Sequence, residues 1–557
     1  MTGLFLEEQR GSYLDDMEDR YREMLASSRA FVINQFGLSA FVWEDGAYRA
    51  RTYNFHLFPR PSEGIDKRFV CQASSIDFLA SCGFDFNKSI YDGIGYMPVA
   101  LRDARLASVD RPPRERSEVL VRKAEDVAFV KDTVASVAEW LQGEDLELVL
   151  PAVNSYQRLL QYQELRRPQF GVADPPGFYR VAAEEGNGFQ LRLTRAAPGE
   201  AEAWEAEQRQ KRVEAIHTAA GFAAVMEAMR DSGKPAVGHN LAFDLSYSLH
   251  SYAQELPGSW AEYKQLVGRW FPGGVYDTKF LSTAATGFPL FCHLEEQVEA
   301  FLQEAALRSV AASGGSSDGE AAELPLVEHA AGFERYKGAA TEAFAHEAGY
   351  DAYMTGAAFA CLMRLYEADA AGAGVGGFLA PPAEQQPAVE AVRHLCWRMN
   401  ISRSDMPYAA LQGEDPIPDR SHIFYVHGWG EGQRVYGGEL VRRLADSGLG
   451  QVRATLVEGG LGALVEVGDP EAVPGAADVL RQRYPGWTVA PYSEYADKRQ
   501  QQRAEAAPGR RANGGNKRPR VDAEAAAAAS KKAVASAARG GGDDGAEEGK
   551  WGRCTIM

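Results

Sequence analysis

Nowhere in the 557 residues is there a run of about 18 apolar side chains, the length a bilayer-spanning helix requires, so no membrane segment is expected. Cysteine is scarce. The six residues, at 71, 82, 292, 361, 396 and 554, lack the CxxC spacing of a zinc site and are too sparse for a disulfide scaffold, which makes a reducing compartment the expectation. Basic charge does not dominate either: the formal net charge is −18, which argues against a protein that coats nucleic acid non-specifically but leaves room for a local basic groove. The opening MTGLFLEEQRGSYLDDMEDR is too acidic for a secretory signal or transit peptide, so a soluble, intracellular chain is expected. What is present is globular, with 45% hydrophobic and 10% aromatic residues. At roughly 150 residues per domain the length suggests three or four units.

Periodicity gives the organisation. AFVINQFGLSAFVWEDG followed by YRARTYNFHLFPRP alternates as a half-buried hairpin does. An Arg-rich stretch, RDARLASVDRPPRERSEVLVRKAED, marks a boundary before a helical pattern (DVAFVKDTVASVAEWLQ), the segment SYQRLLQYQELRRPQFGV and a β-like FYRVAA. A charged helical stretch then leads to PAVGHNLAFDLSYSLH, which starts as a short buried strand and becomes a helix carrying Asp244. Residues 309–323 (SVAASGGSSDGEAAE) read as a disordered linker, and 334–368 as helical. Residues 422–490 follow the order β-α-β-β-α-β of RNA-recognition modules. From Lys498 the chain is of low complexity, with ten Lys/Arg against three acids up to 532 and a Gly-rich, acidic end, so a disordered tail is expected.

Two stretches carry chemistry. In AHEAGYDAYMTG, His346 precedes Asp351 by five residues on a segment read as helical; neighbouring faces about one and a half turns apart let both side chains reach one cleft. A surface polar pair is the plain alternative. In GHNLAFD a buried strand ends and a helix presents Asp244, which could equally be a helix cap. Together they resemble the second and third motifs of the DEDD exonucleases that have histidine in the third. Such enzymes hold two divalent ions about 4 Å apart with four carboxylates, and a near-neutral imidazole takes the proton of the attacking water.

RFVCQASSIDFLASCGFDFNKSIYDGI, GHNLAFD, VYDTKF, HEAGYDAYMTG and MPYAALQGEDP, in that order, resemble the poly(A)-specific ribonuclease (PARN) family from the first residues to about 497. The resemblance implies an α/β architecture. An RNase H-like nuclease fold (1–118 and 201–410) would be interrupted by a small Arg-x-x-x-His-type nucleic-acid module (119–200) and followed by an RRM-like domain (415–497) and a tail (498–557). It implies a 3′–5′ exoribonuclease of the deadenylase type, a magnesium-dependent homodimer in nucleus and cytoplasm that removes poly(A) from RNA rather than DNA and releases 5′-AMP. Asp244 and Asp351 then resemble metal ligands, His346 the general base, and Lys279 of VYDTKF a phosphate contact or a solvated surface lysine.

The chain also departs from the family pattern. Members open with a strand carrying Asp-x-Glu directly before Phe-Ser/Thr-Gly, whereas MTGL matches only the residues after the glutamate. Two of the four carboxylates are therefore expected ahead of residue 1, as in a truncated start, and the sheet is expected to lack its central strand. The alternative is an inactive RNA-binding scaffold on the same fold. In YQRLLQY, Arg158 is followed four residues later by Tyr162 instead of His, so the module reads equally as a spacer. The C-terminal module has no aromatic residue in RATLVEGGLG, where the family can stack the mRNA cap, and Trp429 and Trp487 read as core or edge residues. Arg510, Arg511, Lys517, Arg518 and Arg520 in RRANGGNKRPR form the two basic clusters of a nuclear-import signal. The terminal CTIM fits a prenylation box at Cys554, yet the acidic DDGAEEGKWG before it would be repelled by an anionic leaflet, so stable membrane association is not expected.

Overall fold

The computed structural model describes residues 1–6, 11–62, 66–109, 119–152, 154–165, 179–183, 190–195, 200–284, 327–337, 344, 346–370, 389–429, 435–445, 447–506 and 555–556. They fall into two compact units. One comprises Met1–Arg10, Glu18–Met399 and Cys554–Met557, the other Gly11–Met17 and Asn400–Arg553. The division lies at 399/400 instead of the 410–415 expected from sequence, and a short N-terminal segment joins the second unit. The expected linker at 309–323, the import cluster at 510–520 and Cys554 lie outside the described residues. No helix among the described residues is long and apolar enough to cross a membrane.

In the first unit the expected hairpin forms. β1 (Gln35–Glu44) and β2 (Ala47–His56) pair antiparallel from Gln35↔His56 to Glu44↔Ala47. The turn is Asp45–Gly46, with φ of 51° and 82°; a two-residue loop with both φ positive matches the right-handed twist of the strands it joins. Next come the helix Ala124–Gln142, β3 (Glu147–Leu150), the helix Ser155–Leu165, β4 (Tyr179–Ala183) and β5 (Leu191–Arg195), the strands forming a sheet of order β3-β5-β4. Its own core holds Trp140, Leu150, Leu165, Leu191 and Leu193, and Tyr162 packs against it. The tyrosine found where the motif would have histidine thus serves packing.

β6 (Ala236–His239) is buried at all four positions, as a strand covered on both faces must be. β7 (Val275–Asp277) runs parallel to it, β8 (Val327–His329) runs parallel to β2, and β9 (Arg398–Met399) runs parallel to β7. The long helix Ala348–Ala370 packs on β1, β2 and β6. At the edge of β6, Thr555–Ile556 pair antiparallel with His239 and Gly238. An unpaired strand edge is a template for any extended segment, and here the chain's own end supplies one.

The second unit begins its strands with β10 (Ala409–Ala410), then β11 (Ile423–His427), β12 (Val452–Val457), β13 (Gly462–Val467) and β14 (Thr488–Pro491). The last four form an antiparallel sheet of order β12-β13-β11-β14. One face meets the helices Gly437–Ala445 and Val473–Arg483 through Leu440, Leu444, Ala476 and Leu480, with Trp487 in the same core and Trp429 packed against it. On Tyr425, Leu464 and Ala490 sit Leu14 and Tyr495, the latter from the helix Tyr492–Ala506. That helix corrects the tail boundary. Lys498–Ala506 are helical, because Tyr492 and Tyr495 bury against the sheet while Lys498 pairs with Glu458 at 2.7 Å and Arg503 with Asp16 at 2.6 Å.

Candidate active site

Asp244 is delivered as expected, by a strand that stops and a helix that starts. β6 ends at His239, Asn240 turns the chain with φ 58°, and the helix Ala242–Ser248 carries Asp244 in its first turn. The turn is held by a residue that sequence reasoning did not single out. Asp277, fully buried at the end of β7, accepts hydrogen bonds from the backbone N–H groups of Asn240 (2.8 Å), Leu241 (3.2 Å) and Lys279 (3.0 Å). Next to it the Thr278 hydroxyl donates to the Gly238 carbonyl at 3.2 Å and lies 3.0 Å from His239 Nδ1. A carboxylate satisfied by several N–H groups fixes a backbone far better than a neutral acceptor.

His346 departs from expectation. It lies in a turn ahead of the long helix, which begins only at Ala348, and has φ 74°. A non-glycine residue in the left-handed region is uncommon and interrupts a helix, so the imidazole reaches its place by a turn and not by helical periodicity. Asp351 does sit in the first helical turn.

Asp244 nevertheless meets two side chains more than 100 residues further along the chain. Asp244, His346 and Asp351 line one cavity of about 120 Å³, together with Met1, the β1 stretch from Gln35 to Gly37, Leu79 and Phe84. The ring of Phe78, itself 45% exposed, stands edge-on to the His346 ring with centroids 5.1 Å apart. His56, whose ring lies 5.8 Å from that of Phe84, is pushed below the usual histidine range, first by burial and then by the charge of Lys88. Lys279 does not line the cavity.

The helix that carries Asp351 is seated on the hairpin with no slack. A Cβ on Gly37 would stand 1.8 Å from the Ala348 carbonyl oxygen. The Ala348 N–H donates to Gln35 Oε1 at 2.9 Å and the Gly349 N–H to Asn54 Oδ1 at 3.1 Å. The only sequence signal for this contact was a glycine within a strand pattern, a mark of close backbone approach.

Two carboxylates facing one cavity are hard oxygen donors, suited to a magnesium-like ion completed by water and phosphate oxygens. Among the described residues no group of three or more His, Cys, Asp or Glu side chains gathers closely enough to hold an ion.

The CAF1 family ribonuclease pattern matches residues 1–359. The chain is 28% identical to the poly(A)-specific ribonuclease PARN of Xenopus laevis over 508 residues, covering 87% of this chain and 74% of that one. Identity to human PARN is also 28%, over 515 residues, 88% of this chain and 74% of that protein. Human poly(A)-specific ribonuclease PNLDC1 is 26% identical over 386 residues, 65% of this chain and 67% of that protein. The matched span includes both the strand-to-helix turn of Asp244 and the His346–Asp351 turn, and it covers well over half of the sequence: the chain belongs to the CAF1 family of ribonucleases.

Proposed function

We propose that the chain is a poly(A)-directed 3′–5′ exoribonuclease that releases 5′-AMP. The observation that carries this reading is the convergence of Asp244 with His346 and Asp351, over 100 residues further along, on one cavity. Asp244 and Asp351 would hold a divalent cation, probed first as magnesium, and such an ion when bound makes water a better nucleophile and stabilises the leaving oxygen. His346, edge-on to an exposed aromatic ring, takes the proton from the attacking water at a ring nitrogen. Phe78, outside the cavity lining but exposed beside His346, offers an aromatic ring on which an unstacked base can rest. Binding a second ion at close range would require further carboxylates, which the resemblance assigns to the Asp-x-Glu motif. The second unit, with four antiparallel strands in the order β12-β13-β11-β14 and two helices on one face, is read as an RNA-recognition-like platform. Tyr425 on its other face is 2% exposed beneath the helix Tyr492–Ala506, so base stacking there is blocked while that helix is docked.

The test is digestion of 5′-labelled oligo(A) and oligo(U) in magnesium, by the chain and by a form carrying an upstream Asp-x-Glu segment. The extended form is expected to release AMP with preference for oligo(A), and Asp244→Ala, His346→Ala or Asp351→Ala in it should each cost orders of magnitude in rate. RNA bound but left intact by the extended form would favour the scaffold reading, and full activity of extended His346→Ala would remove that residue from the chemistry.

A further inference from the structure

The His346 turn is tied to the hairpin by one carboxylate and one amide. Glu347 Oε1 accepts from Asn54 Nδ2 at 2.6 Å and from the Tyr336 hydroxyl at 3.0 Å, and Glu347 Oε2 accepts from Arg335 Nη2 at 2.8 Å. Asn54 works in both directions, because its Oδ1 accepts the Gly349 N–H while its Nδ2 donates to Glu347. The carboxylate is 16% exposed whereas Arg335 is 61% exposed, so the enclosed bonds to Asn54 and Tyr336 define the geometry and the outer ion pair is screened by water. Nothing can slide at this junction, since a Cβ on Gly349 would meet Tyr336 Oη at 2.6 Å and Asn54 Cβ at 2.9 Å. The backbone that is so pinned includes the left-handed residue His346 on one side and the first turn with Asp351 on the other.

We propose that Glu347 and Asn54 are positioning residues that lock the His346 turn and the first turn of the Ala348–Ala370 helix onto β2, so that the imidazole and the Asp351 carboxylate enter the same cavity. The reasoning is geometric. His346 precedes the helix and gains nothing from the helical hydrogen-bond ladder, so its direction depends on what holds Glu347 and Gly349. A side chain that accepts two enclosed bonds and an ion pair next to a strained residue over-determines that turn, which is the condition under which an uncommon φ persists. Neither residue touches the cavity, and both act through the backbone of residues that do. The proposal rests on the reading of His346 and Asp351 as the reacting pair, but its test does not.

The experiment uses the full chain with labelled histidine, the His346 ring signal being identified by its disappearance in His346→Gln. Hydrogen exchange is followed on a peptide spanning residues 344–353, Mn²⁺ alone serves as the probe of the carboxylates, and the melting temperature is recorded for each variant. Glu347→Ala and Asn54→Ala are expected to shift and broaden the His346 ring signal and to speed exchange at Ala348 and Gly349 at least about tenfold. They should also weaken the Mn²⁺-induced broadening of that signal. Glu347→Gln keeps an oxygen for Asn54 and Tyr336 but turns an amide toward Arg335, and should fall between wild type and Glu347→Ala. Glu328→Ala, which breaks the Arg49–Glu328 pair between β2 and β8, is the control for general loosening of the hairpin and should leave the ring signal in place. If Glu347→Ala lowers the melting temperature too far, Asn54→Ala and Glu347→Gln carry the test. A wild-type ring signal and wild-type exchange in Asn54→Ala and Glu347→Gln would overturn the proposal. A displaced ring in these variants, alongside an extended His346→Ala protein that digests oligo(A) normally, would uphold the positioning role and overturn only the role given to His346.

Discussion

Acid should destabilise the first unit through one half-buried histidine. His250 lies in the π-helical turn Leu249–Ala253, and its Nδ1 is buried without a hydrogen-bond partner among the described residues. Burial first, then the charges of Lys67 and Arg29, hold its pKa down from 6.5 to about 4, and Glu255 opposes them only in part. The unfolded chain therefore takes up this proton more readily than the folded one. The stabilisation is complete above about pH 6.5 and is lost progressively as pH falls towards 4. At 1.36 kcal/mol per pK unit the interval corresponds to about 3 kcal/mol, a large part of the stability of an ordinary domain. Denaturant unfolding followed by tryptophan fluorescence, repeated from neutrality to about pH 4 on the wild type and on His250→Gln, isolates the effect, since the carboxylates that also drive acid unfolding are common to both. Wild type should lose about 3 kcal/mol more than the variant over the window. Parallel losses in the two proteins would refute the reasoning, and so would a greater loss in the variant.

Asp277→Ala should lower stability by about 3–5 kcal/mol, because it leaves three backbone N–H groups facing a fully buried site, whereas Asp277→Asn keeps one acceptor and should cost less; denaturant midpoints read both. Gly37→Ala requires the Ala348 carbonyl to retreat by more than about 1 Å, a displacement that elsewhere costs about 100-fold in rate, so the extended protein should lose activity well beyond its change in melting temperature. Phe78→Ala should raise KM for oligo(A) by roughly 5–100-fold with a smaller change in kcat, following the 1–3 kcal/mol that a stacked base contributes. Cap analogue should bind the chain poorly, since the stretch from Arg453 to Leu464 holds no aromatic residue and Trp429 and Trp487 belong to the core; micromolar binding by fluorescence titration, lost on changing that stretch, would show otherwise.

The residues from which the site is made were legible in the sequence, and the way they are held was not. The run AVGH followed by asparagine pointed to a short strand, a turn and a helix bearing Asp244, and a glycine between two alternating runs marked the hairpin turn. The β-α-β-β-α-β order of the second unit followed from periodicity in the same way. Local pattern could not place His346, however: its spacing from Asp351 suggested one helix, whereas it sits in a left-handed turn outside that helix, next to Glu347, which Asn54, Tyr336 and Arg335 hydrogen-bond from elsewhere in the chain. Nor could it show that Lys498–Ala506, a charged stretch of low complexity, would be helical, because the stabilising contacts come from Asp16 and Glu458, far away in sequence. Composition and periodicity are properties of neighbours along the chain, so they determine elements. The meeting of Asp244, His346 and Asp351 depends on contacts between residues 35–54 and 346–351, and such pairings are decided only when the chain has folded and every hydrogen-bonding group has found its partner.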